Sequence, residues 1–499
     1  MRDLACGLAN VQLTPDPRFS ELLRRSVEFL ERQLPRPTYG VTTGVGASVH
    51  NIIPAEWQAA LPANLYRFHG CGTGRVLGAA ESRAVVAARL ASLASGYSAV
   101  RPEVLQALCD LLNHDIAPLI FEEGSVGASG DLTPLSYIAA VLCGEREVLC
   151  QGEVMPASDA LAGAGLVPLT LQIKESLALM NGTSFMTGLA CLAFERSKSV
   201  ARWACTLTGL CSEATAGNPE HFDTRLFAAK PHWGSVQAAT WIRSALDRNP
   251  AALSPQRLQD RYSLRCAPHV IGVLVDALAA YEPWLTTELN SANDNPLVFA
   301  EDEVVLHGGN FYGGHVTFVL DGLKVAVANV ADLLDRQLML LCAPQTNGGL
   351  PADLVGVTGP EAVVHHGFKA MQISTSALAA EALKLSGPAS VFTRSTEGHN
   401  QDKVSMGAIA AREALRILEL CETVAAIHTL AICQAADLRG DRFGSAQSRS
   451  LRAAVRAWVP MLTVDRRQDV DISQVLKLYR EGGLPISSRE AAGQTIGVS

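Results

Sequence analysis

Gly124-Ser125-Val126-Gly127-Ala128-Ser129-Gly130-Asp131-Leu132-Thr133-Pro134-Leu135-Ser136 holds a tripeptide, Ala128-Ser129-Gly130, whose backbone can become an electrophile that no ordinary side chain supplies. In a tightly bent loop the Gly130 amide nitrogen can attack the Ala128 carbonyl carbon. Loss of two waters, one carrying away the Ser129 hydroxyl, then leaves a five-membered methylidene-imidazolone. Each residue type has a reason. Gly130 has no Cβ to block its nitrogen and tolerates a compressed backbone, Ser129 carries the leaving hydroxyl, and Ala128 is small enough for the turn to close. Such strain persists only where the surroundings over-determine it. As an isolated tripeptide Ala-Ser-Gly reads as a surface turn; the flanking residues change that reading.

Around this segment the chain is long and apolar. Its 499 residues carry 48% hydrophobic and only 18% charged side chains, enough to bury a large core and extensive helix or subunit contacts. The formal charge of -8 comes with no basic block to neutralise phosphates, which argues against a nucleic-acid partner. Twelve cysteines lie scattered without a Cys-x-x-Cys pair and read as reduced thiols. The first residues, Met1-Arg2-Asp3-Leu4-Ala5, lack the apolar core of a secretory signal, so a cytoplasmic protein is expected. The uncharged run 176–194 reaches spanning length, but Asn181-Gly182-Thr183-Ser184 interrupts it and marks it as buried core or active-site wall. The histidines at 50, 69, 114 and 269 have no ligand-spaced partners, no phosphate loop is present, and no metal or nucleotide is expected.

Most of the chain has helical periodicity. After Gly407, apolar Ala411, Ala414, Leu415, Leu418, Cys421 and Ala425 recur at three- and four-residue spacing, with Arg412, Arg416 and Glu419 on another face. Residues 83–98, 188–211 and 316–341 read similarly. Strand signals are short: 147–149 with 153–155, and 297–299 with 304–306, predict small surface hairpins. Glycine and polar clusters place loops at 39–46, 69–74, 122–130, 307–314, 346–351 and 395–402, and the end beyond Tyr479 is expected to fray.

Further motifs lie in these loops in a fixed order: Tyr39-Gly40-Val41-Thr42-Thr43-Gly44-Val45-Gly46, Lys174-Glu175-Ser176-Leu177-Ala178-Leu179-Met180-Asn181-Gly182-Thr183, Gln259-Asp260-Arg261-Tyr262-Ser263-Leu264-Arg265, Asp294-Asn295-Pro296, His307-Gly308-Gly309-Asn310-Phe311 and Glu397-Gly398-His399-Asn400-Gln401-Asp402. With the Ala-Ser-Gly segment they resemble the histidine and aromatic amino acid ammonia-lyase family over residues 36–407. The resemblance implies a mostly α fold, a long-helix bundle with small β hairpins, and a 4-methylidene-imidazol-5-one prosthetic group formed from Ala128, Ser129 and Gly130. It implies a homotetramer with active sites shared between subunits, acting on a small aromatic L-amino acid. The chain divides accordingly into 1–215, carrying the tyrosine and cyclising loops, 216–475, a helical part completing the site, and a tail at 476–499, all one continuous fold.

The resemblance makes Tyr39 the base toward the substrate β-hydrogen, a role that needs a lowered pKa or a relayed proton. Val45 stands where the family usually has Phe. Asn181 falls near the electrophile or the substrate amine, and Arg265 falls to the α-carboxylate, which its planar fork can hold through two charge-assisted bonds. Gln259, Tyr262, Asn310 and Phe311 are implied pocket residues, and Asp294-Asn295-Pro296 a support for the cyclising loop. Gln401 stands where histidine-type members carry Glu; a neutral amide makes no demand for a cationic substrate ring. Arg261 agrees with the phenylalanine-type form. Phe68-His69 occupies the pair that sorts substrates and is a hybrid: Phe68 offers an aryl edge, while His69 is either a hydrogen-bond partner for a phenolic hydroxyl or a satisfied structural histidine. The reading is ammonia elimination from L-tyrosine and/or L-phenylalanine to p-coumarate or cinnamate. Histidine ammonia-lyase, an aromatic 2,3-aminomutase with the same group, and an inactive relative are the alternatives.

Overall fold

The computed structural model describes residues 1–34, 36–246, 254–255, 257–440 and 443–486. The chain forms two compact units: Met1–Glu195, Tyr281–Gly322 and Pro388–Leu415 make the first, and Arg196–Ala280, Leu323–Gly387 and Arg416–Ser499 the second. Four of the five sequence boundaries between them fall inside long helices, Ser184–Ala214, Ala267–Leu289, Gly314–Cys342 and Gly407–Arg439, and the fifth falls between Gly387 and Pro388. The predicted helical runs appear with longer or shifted ends; the run at 83–98 is the helix Ala79–Leu93, which a glycine at 78 and Glu81 start earlier.

In the first unit the Ala79–Leu93 and Leu132–Leu142 helices are buried almost all round, and Ala84, Ala87, Ala88, Ala139 and Ala140 lie in the interior. Small side chains on every face let such helices pack closely without a polar stripe. The apolar run 176–194 is divided as its polar interruption requires: one helix spans Glu175–Met180, the next begins at Ser184, and the break between them is buried. All twelve cysteines are unpaired, with only Cys6 and Cys71 exposed.

Seven short strands are present among the described residues: β1 Thr73–Val76, β2 Ile116–Pro118, β3 Phe121–Glu123, β4 Glu147–Cys150, β5 Glu153–Pro156, β6 Leu297–Phe299 and β7 Val304–Leu306. The hairpins β4–β5 and β6–β7 match the sequence expectation, with Val148 opposite Met155 and Val298 opposite Val305. The surface reading of both hairpins is corrected: β2 adds a third strand to β4–β5, with Ala117 opposite Leu149 and Val148 fully buried, and in β6–β7 Val298 is buried in a core cluster with Phe29, Leu30 and Val41. β1 and β3 pair across an irregular register inside segments read as loops. Three or four residues ending at Pro118 or interrupted by Gly74 are too short to display a two-residue period.

The second unit is helical among its described residues. Within it Glu422, almost fully buried, pairs with Arg196 at 2.9 Å, and the Trp203 indole donates to the Thr429 hydroxyl at 3.1 Å. Gln337 donates to the Thr208 hydroxyl and the Ser263 carbonyl. His428 is buried with neither ring nitrogen paired, and burial pushes its pKa down to about 3, so it stands neutral in the core. Residues from 487 onward, including much of the end expected to fray, lie outside the described residues.

Candidate active site

The Ala128-Ser129-Gly130 loop is bent into backbone conformations that side chains resist. Ser129 has φ 54° and Gly130 φ 76°, and a non-glycine residue held in the left-handed region stores on the order of 1–3 kcal/mol. A Cβ at position 130 would overlap the Gly182 backbone. Glycine is therefore needed twice, for the positive φ and for the close approach of residues 130 and 182, which form a parallel bridge.

Hydrogen bonds lock both ends of this bend. The Ser125 hydroxyl donates to Asp131 Oδ1 at 2.8 Å and accepts from the Gly127 amide at 3.1 Å, so serine and aspartate close the loop around the tripeptide. Asp131 Oδ2 accepts from the Met186 amide at 3.0 Å, tying the loop to the first turn of the Ser184–Ala214 helix. Burial pushes the Asp131 carboxyl up to about 7 against these two donors. The Asp131 amide donates to the Gly182 carbonyl at 2.8 Å. The Ser129 carbonyl oxygen accepts from Asn181 Nδ2 at 2.8 Å and from the Gly182 amide at 3.3 Å.

That first bond fixes the Asn181 amide, because a carbonyl oxygen only accepts. Its own Oδ1 is left buried without a partner among the described residues. An unsatisfied buried acceptor costs about 1–3 kcal/mol, which a ligand N–H would remove. Beneath Asn181, Arg89 is fully buried and donates to the Asn181 carbonyl at 2.9 Å and to Asn293 Oδ1 at 3.2 Å. Lys174, which precedes the short helix leading to Asn181, is fully buried and paired with Asp294. Asn293 through Arg89, and Asp294 through Lys174, thus tie into the chain on either side of Asn181.

Tyr39 lies half-buried in its glycine-rich loop, and its hydroxyl oxygen accepts from the Gly46 amide at 2.8 Å. Of the two routes open to such a base, a lowered pKa or a relayed proton, its surroundings do not supply the first. Burial pushes the phenol above its ordinary value, and the Glu397 and Asp294 charges push the same way, while the Gly46 N–H opposes them. The Tyr39 amide faces His307 Nε2 at 3.5 Å. Gln401 Nε2 approaches the Ser129 hydroxyl at 3.4 Å, and Gln401 Oε1 accepts from the Thr396 hydroxyl at 3.0 Å.

His69 follows the Leu61–Phe68 helix, and its Nδ1 is 2.9 Å from the Leu65 carbonyl oxygen. Nδ1 therefore carries a proton. Burial lowers the pKa of this ring, so it is neutral and presents Nε2 as a lone-pair acceptor. The Phe68 ring lies 4.0 Å from the His69 ring and is 61% exposed.

The first unit thus brings together Ala128, Ser129, Gly130, Asn181 and Gln401 by direct contact, and the Glu397 charge acts on both Tyr39 and His69. Asn310 is exposed and donates instead to the Ala292 carbonyl at 3.1 Å, and Phe311 is partly buried beside it in the same loop. Gln259, Tyr262 and Arg265 belong to the second unit. There Asp260 is buried, accepting from the Asn218 amide at 2.7 Å and from Arg257 at 3.0 Å, which holds the strand of chain that presents its neighbours. Gln259 and Tyr262 are exposed. The Arg265 guanidinium lies 4.6 Å over the Tyr262 ring, and its buried Nε has no acceptor among the described residues. Ser125, Asp131, Arg89, Thr396 and Glu397 are the contributors that the sequence left without roles. Ser125 and Asp131 bracket the tripeptide, and that bracket was their only signal.

A strained, laced Ala-Ser-Gly turn with a tyrosine loop and a buried asparagine defines an enzyme site of the self-cyclising class. The chain belongs to the aromatic amino acid lyase family, whose model matches residues 2–457. It is 38% identical to a histidine ammonia-lyase of Gloeobacter violaceus across 98% of this chain and 96% of that one. It is 39% identical to a tyrosine ammonia-lyase of Cupriavidus metallidurans across 90% and 88%. Its fold matches the crystal structure of tyrosine aminomutase from Streptomyces globisporus with a TM-score of 0.90, at 36% identity, over 99% of this chain and 97% of that one. The family depends on a methylidene-imidazolone. The glycine-only approach at 130 and the bend at Ser129 fit its formation from Ala128, Ser129 and Gly130.

Proposed function

We propose that this protein eliminates ammonia from L-tyrosine and/or L-phenylalanine, giving p-coumarate or cinnamate. The observation carrying this reading is the neutral His69 ring, whose Nε2 is an acceptor suited to a phenolic O–H; Phe68 beside it offers an aryl edge, and position 401 is an amide rather than a carboxylate. When formed, the methylidene-imidazolone supplies an electrophile that makes the substrate amine a better leaving group. The orphan Oδ1 of Asn181 accepts from the substrate ammonium, and Arg265 holds the α-carboxylate. Asn310 and Phe311 wall the substrate in and Tyr39 removes the β-proton, while Gln259 and Tyr262 stand beside Arg265 in the second unit, supplied to a site shared between copies of the chain as the resemblance implies. Histidine as substrate is the second reading, since an imidazole N–H can also donate to His69 Nε2, and close relatives carry that activity in their names.

Product analysis after separate incubation with L-tyrosine, L-phenylalanine and L-histidine tests the proposal. Cinnamate or coumarate is expected, and urocanate as the main product would overturn it; β-amino acids would move the reading to an aminomutase. Losing one buried hydrogen bond costs about 0.5–1.5 kcal/mol. His69→Leu should therefore lower the tyrosine rate by up to roughly tenfold relative to phenylalanine.

Arg265→Lys keeps the charge but loses the planar fork. A charge-assisted bond is worth about 1.5–3 kcal/mol, so kcat/KM should fall on the order of 10- to 100-fold, mainly through KM. An unchanged KM would remove Arg265 from the carboxylate site.

A homo-oligomer accompanies this reading. On the Gly314–Cys342 helix, Phe318, Val325 and Met339 are exposed at multiples of seven residues, and Val273 and Trp284 are exposed on the Ala267–Leu289 helix. Apolar side chains repeating along one helix face are the kind of surface a second copy covers.

A further inference from the structure

We propose that Glu397 is a positioning residue that latches the Tyr39 loop onto the turn carrying Gln401. Two consecutive backbone amides of the tyrosine loop divide between two acceptors: Gly46 N–H donates to the Tyr39 hydroxyl oxygen at 2.8 Å, and Ala47 N–H lies 3.0 Å from both Glu397 carboxylate oxygens. The carboxylate presses against position 46 so closely that a Cβ there would overlap it. Gly46 also has φ 58°. A side chain at 46 would therefore break the latch and strain the loop together.

The turn bearing Glu397 is shaped for this contact. Glu397, Gly398 and His399 have φ of 53°, 63° and 66°, three successive left-handed residues of which two carry a Cβ. Thr396 and Gln401 close the turn as an antiparallel bridge, with Thr396 N–H donating to the Gln401 carbonyl at 3.0 Å. One end of the turn thereby presents Glu397 to the tyrosine loop, and the other presents Gln401 to the Ser129 hydroxyl. Strain of this kind survives where the surrounding contacts maintain it. No cation pairs with Glu397 among the described residues; its donors are the Ala47 amide and, at 3.5 Å, the Asn400 side chain. An exposed carboxylate with no cation, aimed at a loop amide, contributes through that amide. A charge-assisted bond strengthens the closed loop by more than a neutral one.

The kinetic consequence rests on Tyr39 being the base proposed above, whereas the latch itself is read in the resting protein. Hydrogen exchange at the Gly46 and Ala47 amides, measured on the full-length protein beside its intact mass, tests it. In Glu397→Ala, exchange at these two amides should rise about 10- to 100-fold, with protection of the Leu132–Leu142 helix and the two-water mass deficit unchanged. Turnover of whichever aromatic amino acid is accepted should fall through kcat with little change in KM. Glu397→Gln retains an acceptor for Ala47 N–H and should restore most of the protection. Unchanged exchange at 46 and 47 in Glu397→Ala, or a Glu397→Gln variant no better protected than the alanine, overturns the latch. Changed exchange in a protein that turns over none of the three amino acids supports the latch and counts against the proposed function instead.

Discussion

Replacement of Ser129 by alanine is expected to give a folded protein whose intact mass equals that of the unmodified chain, while the parent is lighter by two waters. Turnover should fall by about 10³-fold or more, the scale seen when a group that forms the covalent machinery is removed. The expectation follows from chemistry, because the Ser129 hydroxyl is the leaving group of the dehydration. Stability should change little: among the described residues the Ser129 hydroxyl is hydrogen-bonded by Gln401 alone, at a long 3.4 Å, and its carbonyl keeps both donors in the alanine variant. Gly130→Ala separates the chemical role from the backbone role. Position 130 has φ 76° and lies against the Gly182 backbone, so this variant should lose the mass deficit and also unfold more readily. A loss above about 2 kcal/mol is expected from strain and overlap combined. Thermal or urea unfolding of the two variants checks the contrast. A Gly130→Ala protein as stable as Ser129→Ala would mean that the loop relaxes away from Gly182.

The cyclising tripeptide was legible as a chemical demand visible in one dimension, whereas the tyrosine loop and Asn181 were singled out through the motif order that carries the family resemblance. Helices were legible where apolar residues recur over several turns, as after Gly407. β1, β2 and β3 were not, since three residues cannot show a period, and their pairing depends on partners as far apart as Thr73 and Glu123. The same limit hid Glu397. Its motif was visible, but its contact with Ala47 joins positions 350 residues apart and depends on three left-handed residues that include a glutamate and a histidine, types that carry no turn signal. Asp131 was hidden differently: next to a helix start it reads as a cap, yet its carboxylate makes no capping bond and instead holds Ser125 and Met186. The direction of the tyrosine pKa shift was hidden for a related reason. A glycine-rich loop reads as solvated, whereas Tyr39 is half-buried beside two carboxylates.

Tyr39→Phe should retain the two-water mass deficit and lose turnover by about 10²- to 10⁴-fold, the usual contribution of a positioned base. The mass readout matters because no hydrogen bond joins the Tyr39 side chain to the Ala128-Ser129-Gly130 backbone among the described residues, so prosthetic-group formation and proton abstraction should separate cleanly. The pH dependence follows from the surroundings of Tyr39. Burial, and then the Glu397 and Asp294 charges, raise its pKa, with the Gly46 amide the single opposing influence named. A base whose pKa lies above its ordinary value is mostly protonated at neutral pH, and the active phenolate gains tenfold for each unit of rising pH until that pKa is reached. The logarithm of kcat/KM should therefore climb through the alkaline range with a slope near one before it levels. His69, neutral because burial lowers its pKa, contributes no descending limb there. A profile that is flat from neutrality upward in the parent, while Tyr39→Phe remains inactive, would show that substrate binding lowers the phenol pKa or that a neighbour takes its proton. The carboxylate to test for such a relay is Glu397, whose charge acts on Tyr39 more than that of Asp294. Glu397→Gln would then restore the alkaline slope, whereas a base that ionises on its own would keep its slope and have its midpoint drawn downward by the lost negative charge.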